Sequence, residues 1–163
     1  LQESVEEMEL SQEDLEKELD RALEQFKQLE FEQKMEETIE DLKKLADEQQ
    51  KLAEESKKED ANLEELKKDQ EKLNEQFEEL QKEMEELEKM NEELEDKKDL
   101  PDTSEQEEKI KEEMKESAES LEKKKSKKAS ESQENAADEM EQMAQEMEES
   151  MAQNEEESAE EEL

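Results

Sequence analysis

The chain contains no glycine, cysteine, histidine, tryptophan or tyrosine, and one proline in 163 residues. Each absence removes a class of answer. Without Cys there are no disulfides and no thiolate metal sites. Without Gly there is no phosphate-cradling loop of either familiar type, and no EF-hand, whose calcium loop needs Gly at its sharp turn. Without His, Cys or Tyr, general acid–base chemistry falls to Asp, Glu and Lys, which would need a dehydrated pocket to retune them. A leucine seam flanked by solvated charge offers no such pocket, so neither an enzyme nor a cofactor or metal site is expected. No apolar run exceeds two residues, as at Leu45-Ala46 and Ala136-Ala137, against the ~20 a helix needs to cross a bilayer. No signal peptide is visible. One Val, two Ile and three Phe leave little material for strands.

What is present is charge and helix formers. There are 61 acidic and 24 basic residues, for a net charge of −37, and charged residues make up 52% of the chain. Apolar residues are 27%, well below the roughly 45–50% of a globular domain. That fraction is close to two in seven, which is what a heptad seam requires. The remainder is dominated by Glu, Lys, Gln, Ala, Leu and Met, all strong helix formers. Composition alone leaves disorder and long helices open. The sign of the charge speaks against nucleic acid, because phosphate backbones need Lys and Arg clusters. Residues Ala129–Leu163 hold 14 acidic residues and no basic one.

Phase decides for helices. From Phe31 to Leu94 one heptad frame holds. Its d positions are Phe31, Thr38, Leu45, Leu52, Glu59, Leu66, Leu73, Leu80, Leu87 and Leu94; its a positions are Met35, Leu42, Gln49, Ser56, Leu63, Gln70, Phe77, Met84 and Asn91. A 3.5-residue period kept this long means helices packed along a seam. The frame weakens at Ser56–Asp60, where both core positions are polar and Asp60 and Asn62 are N-cap candidates. A break or kink is expected within 56–62.

Leu10-Ser11-Gln12-Glu13-Asp14-Leu15 has the pattern of a Ser N-cap inside a hydrophobic staple. It predicts that residues 1–10 are the tail of a preceding helix and that a new helix starts near Ser11. Leu15, Leu19, Ala22, Phe26 and Leu29 then follow a 4-3 spacing, two residues out of phase with the frame that begins at Phe31. The combined face is wider than a dimer seam and predicts contact with more than one helix.

Asp99-Leu-Pro-Asp-Thr-Ser104 is the sharpest break, since Pro101 lacks a backbone N–H and disfavours helix at Leu100. Asp102, Thr103 and Ser104 are N-cap candidates, and Ser104 with Glu107 makes an S-x-x-E box. Beyond it Ile110, Leu121, Ser132 and Met143 recur every eleven residues, as do Met114, Lys125, Ala136 and Met147, and Ala118, Ala129, Met140 and Met151. The expected fold is all-α: an extended long-helix coiled coil, folded as an antiparallel helical hairpin about the Pro101 loop. The segments are 11–98, a loop at 99–104 and an acidic helical arm at 105–163. The helices expected are Ser11–Glu55, Ala61–Lys98 and Ser104–Glu160. In that hairpin Ile110 meets Leu94, Met114 meets Met90, Met140 meets Leu63 and Met151 meets Leu52. The Lys123–Lys128 run then lies beside Glu75, Glu78 and Glu79.

Several residues invite a chemical reading. Met140, Met143, Met147 and Met151 share a helical face, and such thioethers can bind Cu(I). Met at seam positions is better read as core. Lys123–Lys128 reads as pairing with an acidic helix rather than as a docking patch. Glu155–Glu157 and Glu160–Glu162 read as solvated charge rather than a calcium or basic-partner site. Asn91 at an a position either specifies register or lies exposed near a helix end.

Two stretches carry a resemblance: Leu15–Phe31, and the Lys98-Asp-Leu-Pro-Asp-Thr103 turn with Lys128-Ala-Ser-Glu-Ser-Gln133. Both resemble the large membrane-anchored, coiled-coil-rich proteins of the Bacteroidetes that carry a domain of unknown function. The resemblance implies transmembrane helices N-terminal to this piece and a long helical region outside the bilayer. It supplies no activity, ligand or catalytic residue. The chain opens with Leu rather than Met, which points to a piece of something longer. The expected function is a structural or interaction coiled-coil segment (spacer, tether or scaffold) that self-associates or binds a protein through its seam, with membrane contact only through other parts. The alternative is an acidic helical module that holds a basic protein, in the manner of a chaperone.

Overall fold

The computed structural model describes residues 2–162, apart from the Leu10 side chain. It contains four helices: α1 (Gln2–Lys57), α2 (Leu63–Glu92), α3 (Ser104–Glu122) and α4 (Ser126–Glu162). No strand occurs among the described residues. The four helices pack against each other around one core.

Side-chain pairs fix which helices are neighbours. Lys34 reaches Glu86 at 3.5 Å and Gln49 reaches Gln70 at 2.9 Å, joining α1 to α2. Gln81 meets Glu107 at 3.4 Å and Lys67 meets Glu122 at 3.6 Å, joining α2 to α3. Lys109 meets Glu139 at 2.9 Å between α3 and α4. Lys43 pairs with Glu148 and Lys57 with Glu134, joining α4 back to α1. Where two pairs join the same two helices, the numbers rise on one as they fall on the other, so α1 and α2, α2 and α3, and α4 and α1 run in opposite directions.

The heptad positions supply the core. On α1 every a and d position from Phe31 to Ser56 is buried, and Ile39, Ala46 and Ala53 add a further row. That width follows from α1 facing both α2 and α4. On α2, Leu66, Leu73, Leu80 and Leu87 are buried with Gln70, Phe77 and Met84. On α4 small residues dominate: Ala129, Ser130, Ala136, Ala137 and Ala144 are all buried. They let the backbones approach, and Ser130 Oγ donates to the Ala53 carbonyl at 3.1 Å.

The expected start at Ser11 is corrected: α1 passes through it without interruption. A capping Ser acts only where the chain leaves the helix, and nothing nearby forces it out, neither Gly nor Pro. The Leu10 side chain of the supposed staple lies outside the described residues. Residues 58–62 separate α1 from α2, and Asn62 caps α2 by accepting from the Glu65 N–H at 3.3 Å.

The second helix stops at Glu92, not Lys98. The Asn91 side chain ends it by donating to the Lys98 carbonyl (2.9 Å) and accepting from the Lys98 N–H (2.8 Å). Asn154 on α4 treats the next residue alike, accepting from the Asp99 N–H (2.8 Å) and donating to its carbonyl (3.0 Å). Two asparagines thus pin the loop, and Asn91 is neither a seam residue nor free. At the loop's far end Thr103 is the N-cap residue of α3. Thr103 Oγ1 donates to Glu107 at 2.8 Å, and Ser104 donates to Asp102, so the anticipated Ser104–Glu107 box does not form.

The anticipated single helix over 104–160 is two helices. Lys124 has φ 62°, and its N–H bonds the Leu121 carbonyl while the Lys125 N–H bonds that of Ser120. This is the Schellman geometry that ends helices. The eleven-residue repeat is accordingly broken at Lys125, which is exposed in the turn. The register of the anticipated hairpin is corrected too. Met114 shares a groove with Asn74 and Phe77, not Met90, and Met151 lies beside Ile39 and Lys43 on α1, not Leu52. The reason is the length of the 93–103 connection, which carries α3 further down α2 than a tight turn at Pro101 would.

Candidate interaction surface

α1 is 56 residues long, or ~84 Å at 1.5 Å per residue. Only its second half is packed. Among the described residues, Val5, Met8, Leu15, Leu19, Leu23, Phe26 and Leu29 are large apolar residues that stay exposed, each 52–65% accessible. The arm is fixed to the bundle at its base, where Glu24 accepts from the Glu95 N–H at 3.0 Å. The wide apolar face of Leu23, Phe26, Leu29 and Phe31 predicts contact with more than one helix. The structure buries Phe31 fully and leaves Leu23, Phe26 and Leu29 outside.

The phase slip explains the split. Two residues at about 100° each turn the apolar face by roughly 200°, so the arm stripe looks nearly opposite to the face that enters the core. One helix thus carries two seams, one filled by its own chain and one not.

Inside the bundle a polar layer crosses all four helices. Gln49 and Gln70 exchange amide hydrogen bonds at 2.9 and 2.8 Å. Ser117 Oγ and Gln133 Nε2 each reach Gln70 Oε1 at 3.1 Å, and Asn74 accepts from Gln70 at 2.9 Å. Gln49, Gln70, Ser117 and Gln133 are fully buried. Gln133 Oε1 has no partner. Gln49 and Gln70 are legible in the sequence as polar a positions; Ser117 and Gln133 carry no signal until α3 and α4 are recognised as separate helices.

The anticipated chemical sites resolve as follows. Met140, Met143 and Met147 are buried within the core, with Met151 at its margin. Lys123–Lys125 form the α3–α4 turn, and Lys127 and Lys128 open α4. They lie near the start of α2, where Glu122 meets Lys67, and not beside Glu75–Glu79. Glu155–Glu157 and Glu160–Glu162 are exposed on the last turns of α4. Among the described residues no cluster of three or more Asp or Glu is arranged to hold a metal ion, and no helix is long and apolar enough to cross a membrane.

Two carboxyl groups are perturbed. Burial pushes Glu83 up, helped by the Asp41 carboxylate beside it, while Lys34 opposes. Burial also raises Glu107, although Thr103 and Gln81 donate to it. Both sit at helix–helix margins and face no convergent set of reacting groups. No family model matches the chain, nor does any curated protein or solved structure.

Proposed function

We propose that this chain is a structural and interaction segment, a spacer, tether or scaffold, of a membrane-anchored protein. The observation that carries the reading is the α1 arm, an unfilled apolar seam projecting from a bundle whose own core is complete. A catalytic protein concentrates polar groups in a pocket; here the buried polar groups are spent on joining helices. In this reading α2 and α3 act as an antiparallel hairpin about the Pro101 loop, and the arm works as a coiled-coil strand. The chain holds and spaces; it performs no chemistry. Membrane attachment would come through parts outside this chain, as the resemblance to the Bacteroidetes proteins implies. Small-angle scattering tests the shape. The expected pair-distance distribution extends to at least ~84 Å, the length of α1; a compact distribution overturns the reading.

The second reading, an acidic module for a basic protein, is favoured by the −37 charge and by the wholly acidic charge of residues 129–163. A basic helical peptide would then bind with an affinity that falls steeply with salt, and removal of residues 155–162 would weaken it.

A further inference from the structure

We propose that residues 2–30 of α1 pair with the same residues of a second copy as a parallel, in-register, two-stranded coiled coil. The inference deepens the scaffold reading and rests on it. The arm has its own heptad frame. Val5, Gln12, Leu19 and Phe26 occupy a; Met8, Leu15, Ala22 and Leu29 occupy d. Four heptads are enough to specify a coiled coil.

The flanking positions select the partner and its direction. The e positions are Gln2, Glu9, Glu16, Leu23 and Glu30; the g positions are Ser4, Ser11, Glu18 and Gln25. In a parallel, in-register pair each g residue faces the e residue five further along the other strand. Ser4 then faces Glu9, Ser11 faces Glu16, Glu18 faces Leu23 and Gln25 faces Glu30. No carboxylate meets another. A slip of one heptad either way sets Glu18 against Glu16 or Glu30. A fully overlapped antiparallel pair sets Glu16 and Glu18 each against its own copy. Of these arrangements, the parallel, in-register one is free of like-charge contacts between e and g positions.

Geometry and area agree. The stripe points away from the bundle face of α1, so a second strand laid on it does not collide with α2 or α4. With roughly 100 Å² exposed on each of seven large side chains, two copies bring together on the order of 1,400 Å², within the range of specific interfaces. The remaining charge of the arm sits at outer positions: seven acidic and three basic residues of 2–30 lie outside a, d, e and g. This net negative charge disfavours pairing at low ionic strength, so the dimer should tighten with salt. A basic partner on the same stripe would respond the other way.

The test uses the full chain. Sedimentation equilibrium is expected to give twice the 19.4 kDa chain mass, with tighter association at about 0.5 M salt, where charge is screened within a few Å. Leu19→Glu should weaken association by on the order of 100-fold, because two charges enter one apolar layer. The bundle's melting temperature should not change, since Leu19 is 62% exposed and outside the core. The chain has no cysteine of its own, so Gln12→Cys alone should crosslink on oxidation. Crosslinking only in a mixture of Gln12→Cys and Ala22→Cys chains overturns the parallel assignment. A dimer that survives Leu19→Glu overturns the location. A monomer at high salt and all concentrations overturns the dimer, while an elongated scattering profile would still leave the scaffold reading standing.

Discussion

Lys124 holds a left-handed backbone, φ 62°, in a chain that has no glycine to place there. A side chain with a Cβ in this region costs about 1 kcal/mol relative to Gly. The cost is tolerated because the turn satisfies the last carbonyls of α3 and because lysines at a helix C-terminus complement its dipole. Lys124→Gly is therefore expected to stabilise the bundle by about 0.5 kcal/mol in urea denaturation, since strain relief outweighs the added freedom of the unfolded chain; a lower midpoint would contradict it. The same residue accounts for the largest error of sequence reading. A helix end without Gly or Pro leaves no punctuation, and Lys123-Lys-Lys-Ser-Lys-Lys128 reads as an uninterrupted polar face. By contrast Asn62 and Pro101 are legible, because a side-chain acceptor at a helix start and a missing N–H act locally. Asn154 is not legible: its partner, Asp99, is 55 residues away and meets it only after folding.

Among the elements, the five d leucines of α2 and its loop, Leu66 to Leu94, are all buried, as a 3.5-residue period requires. Periodicity records which face of a helix is covered. It does not record by what, so the register of α2 against α3 and the identity of α4 as a fourth wall were beyond it. The polar layer marks that register. Gln49, Gln70, Ser117 and Gln133 meet only when all four helices are aligned, and a slip of one turn leaves buried amides without partners. Gln70 is the hub, bonded to Gln49, Asn74, Ser117 and Gln133. Gln70→Leu strands three buried polar side chains, each costing ~1 kcal/mol or more, so a loss of about 3 kcal/mol is expected by urea denaturation. Replacing Gln49, Gln70 and Gln133 together with leucine should recover most of it, because an apolar layer needs no partners. The recovered bundle should be less uniquely aligned, which broadened amide resonances would reveal.

At the scale of the whole molecule the excess of 37 negative charges is carried on surfaces that face one another as well as solvent. Glu83 and Glu107 localise part of this excess. Both carboxyls are raised above their ordinary range by burial, Glu83 further by Asp41, and Glu107 further by Glu88 and Glu85. A carboxyl raised in the folded state holds its proton more tightly there than in the unfolded chain. Its stabilising contribution is fully present below the unfolded pKa and is lost as pH rises through the folded one. Asp102 acts in the opposite sense, lowered by the Ser104 hydroxyl and N–H, but it is fully exposed and its contribution is screened. General repulsion among the other carboxylates works in the same direction as the two glutamates. Thermal stability should therefore rise as pH is lowered from 7 toward the ordinary carboxylate range, the reverse of common acid denaturation. Glu83→Gln with Glu107→Gln should raise stability at pH 7 and flatten the dependence. Added salt should flatten the repulsive part in the wild-type chain, whereas the part due to desolvation persists at high ionic strength, because screening does not restore lost hydration. A melting temperature that falls on mild acidification, in both the wild type and the double variant, would overturn this balance.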